Sequence, residues 1–146
     1  MAESNQHRAL VLRLERFAEL LQAKTPYLIV KLDLPGSRWE RPPKLEGFVP
    51  DLLAQTVPKA MTVIGEAKTE RDLESEHSGR QIVGYLTYLL SSEYPAFVLS
   101  VPWTAAASAR AVVRKAMADV PDAQRVSHFV LDGVTDEKPM VDALCL

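Results

Sequence analysis

Two short stretches of this chain carry residues able to do chemistry together. One is "VPD" at positions 49 to 51; the other is "VIGEAKT" at 63 to 69, where Glu66 and Lys68 close an apolar, strand-like run. Alone, such a pair marks only the solvated end of a strand. The surrounding runs, "FVPDLLAQT" and "MTVIGEAKT", flank "VPKA" in the manner of a hairpin. A turn centred on Val57–Lys59 sets Asp51 opposite Glu66 to within a residue or two. Opposed residues of an antiparallel pair share a face with Cβ atoms about 5 Å apart. The two-residue period puts Lys68 on that face too.

Two carboxylates and an ammonium then meet at one end of the hairpin. Close carboxylates repel, so the group is costly unless positive charge neutralises it. Lys68 supplies one charge. A divalent cation would supply the rest, and hard oxygen ligands suit Mg²⁺ or Mn²⁺, which keep several waters and bind substrate phosphate. Such an ion polarises a phosphodiester and stabilises its leaving oxygen. A neighbouring lysine orients water or offsets charge building on the phosphoryl oxygens. The chemistry indicated is phosphodiester hydrolysis.

The elements that must position these residues follow from periodicity. Residues 4 to 24 read as an amphipathic helix, with Leu10, Leu14, Phe17 and Leu21 at helical spacing and Glu15, Arg16 and Glu19 opposite. "YLIVKLDL" (27 to 34) is a strand, and "PGSRWERPPKLEG" (35 to 47), with three prolines and two glycines, is a loop. After the hairpin, residues 75 to 94 form a helix with Ser75 as a cap and Ile82, Leu86, Leu89 and Leu90 inward. "AFVLSVP" (96 to 102) is a strand buried on both faces. Thr104 caps a helix to about 119 with Val112, Val113 and Met117 inward, "VSHFVLDG" (126 to 133) is a last strand, and the rest is a loose tail. The order α-β-β-β-α-β-α-β predicts an α/β fold, a mixed sheet with helices on its faces.

Composition bounds the rest. A chain of 146 residues, 47% hydrophobic and 25% charged, is one soluble globular domain. No apolar run is long enough to span a bilayer, and the opening "MAESNQHRAL" has no basic-then-apolar leader pattern, so no membrane partner and a cytoplasmic location are expected. The single cysteine, Cys145, excludes a disulfide framework and a multi-cysteine zinc site. A net charge of −2 argues against a strong free-standing DNA binder. It leaves room for a nucleic-acid enzyme, whose clustered carboxylates lower the total. Phosphate-loop, dinucleotide-loop and zinc-protease motifs are absent, as are Ser and Cys nucleophile motifs.

"VPD", followed fifteen residues after its aspartate by "EAK", resembles the PD-(D/E)xK motif of the restriction-endonuclease-like nucleases. The helix, three-strand meander, helix and strand over about residues 4 to 102 resemble that family's αβββαβ core, leaving 103 to 146 as an extension carrying an extra helix and strand. "QIVGY", with Gln81 and Tyr85, resembles the Q-x-x-x-Y pattern of an exonuclease-type branch. The resemblance implies that Asp51 and Glu66 are metal ligands for Mg²⁺ or Mn²⁺, with the backbone carbonyl of Ala67 as a further ligand. It makes Lys68 the catalytic lysine that positions or activates water, with Gln81 supporting it. Some members add an acid from the first helix, where Glu15 and Glu19 are available, although both fall opposite the apolar stripe. The activity implied is a metal-dependent nuclease, acting on DNA ahead of RNA. With one site per chain, cutting both strands calls for a homodimer or other DNA-processing subunits.

Other residues are less specific. Arg38, Trp39, Arg41 and Lys44 interleave basic and aromatic side chains in the Pro-rich loop and, with Tyr85, are candidate nucleic-acid contacts, although a solvated loop explains them equally well. His77 joins Gln81 and Tyr85 in one helical stripe, where a polar shoulder is the simpler reading. Arg110, Arg114 and Lys115 default to a solvated face, and Trp103 to packing. The competing readings are a catalytically silent module that binds nucleic acid or assembles with DNA-processing proteins, and an unrelated α/β domain with a surface Glu66–Lys68 pair.

Overall fold

The computed structural model describes residues 4–57 and 60–145. Helix α1 (Asn5–Lys24) starts where Ser4 Oγ accepts the His7 N–H at 3.1 Å, satisfying a donor the first turn leaves free. Its apolar positions recur at helical spacing, so Leu10, Val11, Leu14, Phe17, Ala18 and Leu21 are buried together. Strands β1 (Leu28–Leu32), β2 (Leu52–Thr56) and β3 (Met61–Ala67) follow as an antiparallel meander. A four-residue helix α2 (Glu70–Leu73) precedes α3 (Glu76–Leu89), and β4 (Tyr94–Ser100) returns parallel to β3. Then come α4 (Ala106–Ala118), β5 (Ser127–Leu131), parallel to β4, and α5 (Lys138–Leu144).

The five strands lie in the order β1-β2-β3-β4-β5. A mixed sheet flanked by helices is thus present. Alternating residues of β3 and β4 feed two cores. Val63, Ala67, Ala96 and Val98 pack with α1 and Val141 of α5. Ile64, Phe97 and Leu99 pack with α3 and α4. Because both faces are covered, β3 and β4 read as continuous apolar runs. Glu66 lies near the end of that run, with Lys68 just beyond it.

Several expectations need correction. The tail is not loose: α5 docks on α1, with Val141 buried and a Lys24–Asp142 ion pair. A single apolar turn in "KPMVDAL" carries too little periodicity to reveal that. Thr104 does not cap α4; it lies in a 3-10 turn (Trp103–Ala105) closed by Ala105 N–H donating to the Pro102 carbonyl at 2.9 Å. Trp103, in the same turn, is 68% exposed rather than packed, because the inward stripe of α4 is Ala109, Val113 and Ala116. Residues 58 and 59 of the expected Val57–Lys59 turn lie outside the described residues.

The end of the sheet holding Glu66 is held tightly. Arg13 Nη1 of α1 donates to the carbonyls of Val101 at 2.6 Å and Leu131 at 3.0 Å, just beyond β4 and at the end of β5. Ser100 Oγ donates to the Leu10 carbonyl at 2.8 Å. These bonds lay the first turns of α1 across the ends of the strands. Gly65 permits the close approach: a Cβ there would stand 2.9 Å from Leu52 Cβ and 3.0 Å from Leu14 Cδ2. Gly65→Ala therefore overpacks the α1–sheet contact and is expected to lower stability by about 1–3 kcal/mol, read as a reduced urea midpoint with unchanged slope.

Candidate active site

Asp51 is delivered by a turn the sequence shows only as loop. Leu45 and Phe48 exchange backbone hydrogen bonds at 2.6 and 2.9 Å across Glu46 and Gly47, both at positive φ, the geometry of a two-residue hairpin turn. Phe48 lies over Gly84 of α3, where a Cβ would meet its ring at 3.3 Å. The turn thus seats the "VPD" segment against the helix carrying Gln81 and Tyr85.

The β2–β3 register pairs Leu52 with Gly65, and so runs on to Asp51 opposite Glu66 and Pro50 opposite Ala67. Proline has no N–H, so the ladder has no donor for the Ala67 carbonyl there. In place of ladder bonds, each strand's backbone is held by the other's carboxylate. Ala67 N–H donates to Asp51 Oδ2 at 2.8 Å, and Asp51 N–H donates to Glu66 Oε1 at 3.2 Å. Lys68 Nζ lies 3.2 Å from Glu66 Oε2 and donates a hydrogen bond to Gln81 Oε1. All four polar side chains are buried, at 7% for Asp51, 4% for Glu66, 8% for Lys68 and 9% for Gln81, which rules out a solvated surface pair.

Burial, and then the charge on Asp51, push Glu66 up to about 8; Lys68 pulls it back only in part. Two ionised carboxylates would outnumber the single lysine, so the metal-free cluster keeps a proton on Glu66 at neutral pH. Tyr85 is fully buried beside the same carboxylates. Burial, followed by the charges of Glu66 and Asp51, raises its phenol far above the ordinary range. Its Oη feels Glu66 but finds no partner at hydrogen-bonding geometry. A ring so placed is out of reach of a nucleic acid; Tyr85 is internal, wedged between Phe48 and Phe97.

The first helix contributes a residue that periodicity did not single out. His7 Nε2 lies 3.6 Å from Asp51 Oδ2. Its only sequence signal is its place in the first turn of a helix whose start overhangs the strand ends. The two acids considered there are engaged elsewhere: Glu15 accepts the Trp39 indole N–H at 2.7 Å, and Glu19 lies 3.7 Å from Arg38. His77 is exposed and packs edge-on to Phe48. Arg38 stacks over Trp39 at 3.8 Å, and Arg41 pairs with Asp33 at 3.4 Å, while Lys44 is exposed in the loop. These loop residues do not join the buried cluster.

Among the described residues, no three His, Cys, Asp or Glu side chains form a ready metal cage. What converges is two carboxylates, each bonded to the other strand's backbone, a set that fits a hard cation retaining most of its own water. A groove of 770 Å³ runs between α3 and α4, lined by Leu73, Val83, Val112 and mixed charges, but none of the converging residues lines it. Comparison with known proteins finds no matching family model, curated protein or solved structure. The functional reading rests on the residues themselves.

The raised Glu66 has a signed consequence. The folded, metal-free protein holds this proton up to about pH 8, whereas the unfolded chain releases it near 4.5. Folding therefore takes up a proton in that window. Stability from this group is fully present below pH 4.5 and falls as pH rises through 8, with a slope approaching about 1.4 kcal/mol per pH unit. Urea unfolding in EDTA across that range is expected to show the decline, and Glu66→Gln to flatten it.

Proposed function

We propose that this protein is a divalent-metal-dependent nuclease of the restriction-endonuclease-like kind, hydrolysing phosphodiester bonds in DNA. The observation that carries this reading is the buried convergence of Asp51, Glu66 and Lys68, where the second carboxylate is left protonated for want of a further positive charge. Asp51, Glu66 and the Ala67 carbonyl would hold Mg²⁺ or Mn²⁺, with His7 at the edge of the set. Bound there, the ion would take the place of the Glu66 proton as the balancing positive charge and would polarise a phosphodiester.

The chain's own residues do the rest. Glu66 and Gln81 fix the Lys68 ammonium from two sides, so its position costs little rearrangement during reaction. A group held this way can orient a water toward phosphorus or stabilise charge on the phosphoryl oxygens. Gln81 is a positioning residue, acting through Lys68. Tyr85 and Phe48 close the site from below and keep bulk water from the carboxylates.

Labelled single-stranded, duplex and branched DNA, incubated with Mg²⁺ or Mn²⁺, supply the test. Wild type is expected to cut at least one of them, and Lys68→Ala to lower the rate by about 10²-fold or more with its melting transition intact. No cutting of any substrate with either metal contradicts the reading and favours a binding or assembly module.

A further inference from the structure

Beyond the 3-10 turn, α4 carries three cations, Arg110, Arg114 and Lys115, and no acid from Ala106 to Ala118. Several cations elsewhere lie against carboxylates: Lys31 against Glu40, Arg38 against Glu19, Arg41 against Asp33 and Arg80 against Glu76. Arg110 and Arg114 are exposed and have no carboxylate partner among the described residues. Lys115 differs, since it faces the α3–α4 groove alongside Glu74, Glu76 and Asp119.

Ala107, Arg110 and Arg114 are spaced by three and four residues, so they share one side of α4, and Trp103 stands in the 3-10 turn at its head. All four are exposed. The indole stands at the head of the row and the guanidinium groups follow over about 16 Å of axis. The Trp103 side chain is open to solvent, at 68% exposure. The row begins beside the candidate active site. Lys68 N–H donates to the Ser100 carbonyl at 3.0 Å, and Trp103 is three residues further on, a span of at most about 11 Å.

We propose that Trp103, Arg110 and Arg114 form a docking strip for single-stranded DNA running to or from the Lys68 site. This rests on the nuclease reading and extends it to the form of the substrate. Stacking needs an unpaired base with an open face, which a single strand offers and a duplex does not. The two arginines meet successive phosphates, and their lack of protein partners means no ion pair must be broken. An acidic chain thereby gains a local binding track without a basic surface overall.

Fluorescence anisotropy of fluorescein-labelled oligothymidylate with the full chain, in EDTA so that nothing is cut, tests the strip. Wild type is expected to bind. R110A/R114A should weaken binding tenfold or more and reduce the salt slope by about 1.4, two phosphate contacts on a single strand. W103A should weaken it roughly five- to hundredfold while leaving the salt slope intact, and R80A, at a paired surface arginine, should change nothing. Absence of binding by wild type, or affinity and slope unchanged in both strip variants, overturns the proposal. So does equal binding of a duplex with no loss in W103A. Binding that survives in Lys68→Ala supports a strip separate from the catalytic lysine. Strip-dependent binding by a wild type that never cuts with metal sinks the nuclease reading and leaves the strip standing.

Discussion

A buried pair of carboxylates sets the terms for the rest of this structure. Taking Asp51 and Glu66 out of water side by side is unfavourable through desolvation and mutual repulsion alike. The fold offsets part of that cost with specific bonds: a backbone N–H on each acid and an ammonium on Glu66. It does not offset all of it, as the raised Glu66 shows. A cluster kept at a loss to stability is easier to understand as a site built for a positive guest than as a structural ion pair.

The surrounding elements can be read as devices for keeping that cluster in place. Pro50 ends the ladder, which frees one carbonyl and lets a side chain take over the next N–H. The turn at Glu46–Gly47 packs on Gly84, so the approach to Asp51 is fixed by α3, the helix that also brings Gln81. Gly65 lets Leu14 and Leu52 close over the neighbouring face of β3. Arg13 then ties α1 across the strand ends and brings His7 to Asp51. On the β4 side, the backbone leaves the site directly into the exposed Trp103 turn. Packing on both faces of the sheet supplies rigidity at its end, around the buried carboxylates.

Much of this was legible in the sequence, for identifiable reasons. Helical spacing from Leu10 to Leu21 exposes α1, and unbroken apolar runs expose β3 and β4. The charges of Glu66 and Lys68 stand out because they interrupt such a run, and hairpin arithmetic placed Asp51 opposite Glu66, where the register has it. What escaped depends on tertiary position. His7 is one polar residue in a polar first turn, and only the docking of α1 brings it to Asp51. Tyr85 shares a stripe with Gln81, yet its depth beneath the carboxylates is set by Phe48 and Phe97. The exposure of Trp103 depends on a 3-10 turn that shifts the phase of the following helix, and α5 is too short to announce itself without α1 beside it.

Binding of Mn²⁺ to the purified chain, followed by loss of the free-ion electron paramagnetic resonance signal, tests the central claim most directly. Asp51→Asn is the informative comparison, since its side-chain oxygen can still accept the Ala67 N–H while its charge is gone. The account predicts a saturable Mn²⁺ site in wild type, competed by Mg²⁺ and lost in the folded variant. A free-ion signal unchanged by wild type, or equal binding by wild type and variant, would contradict it.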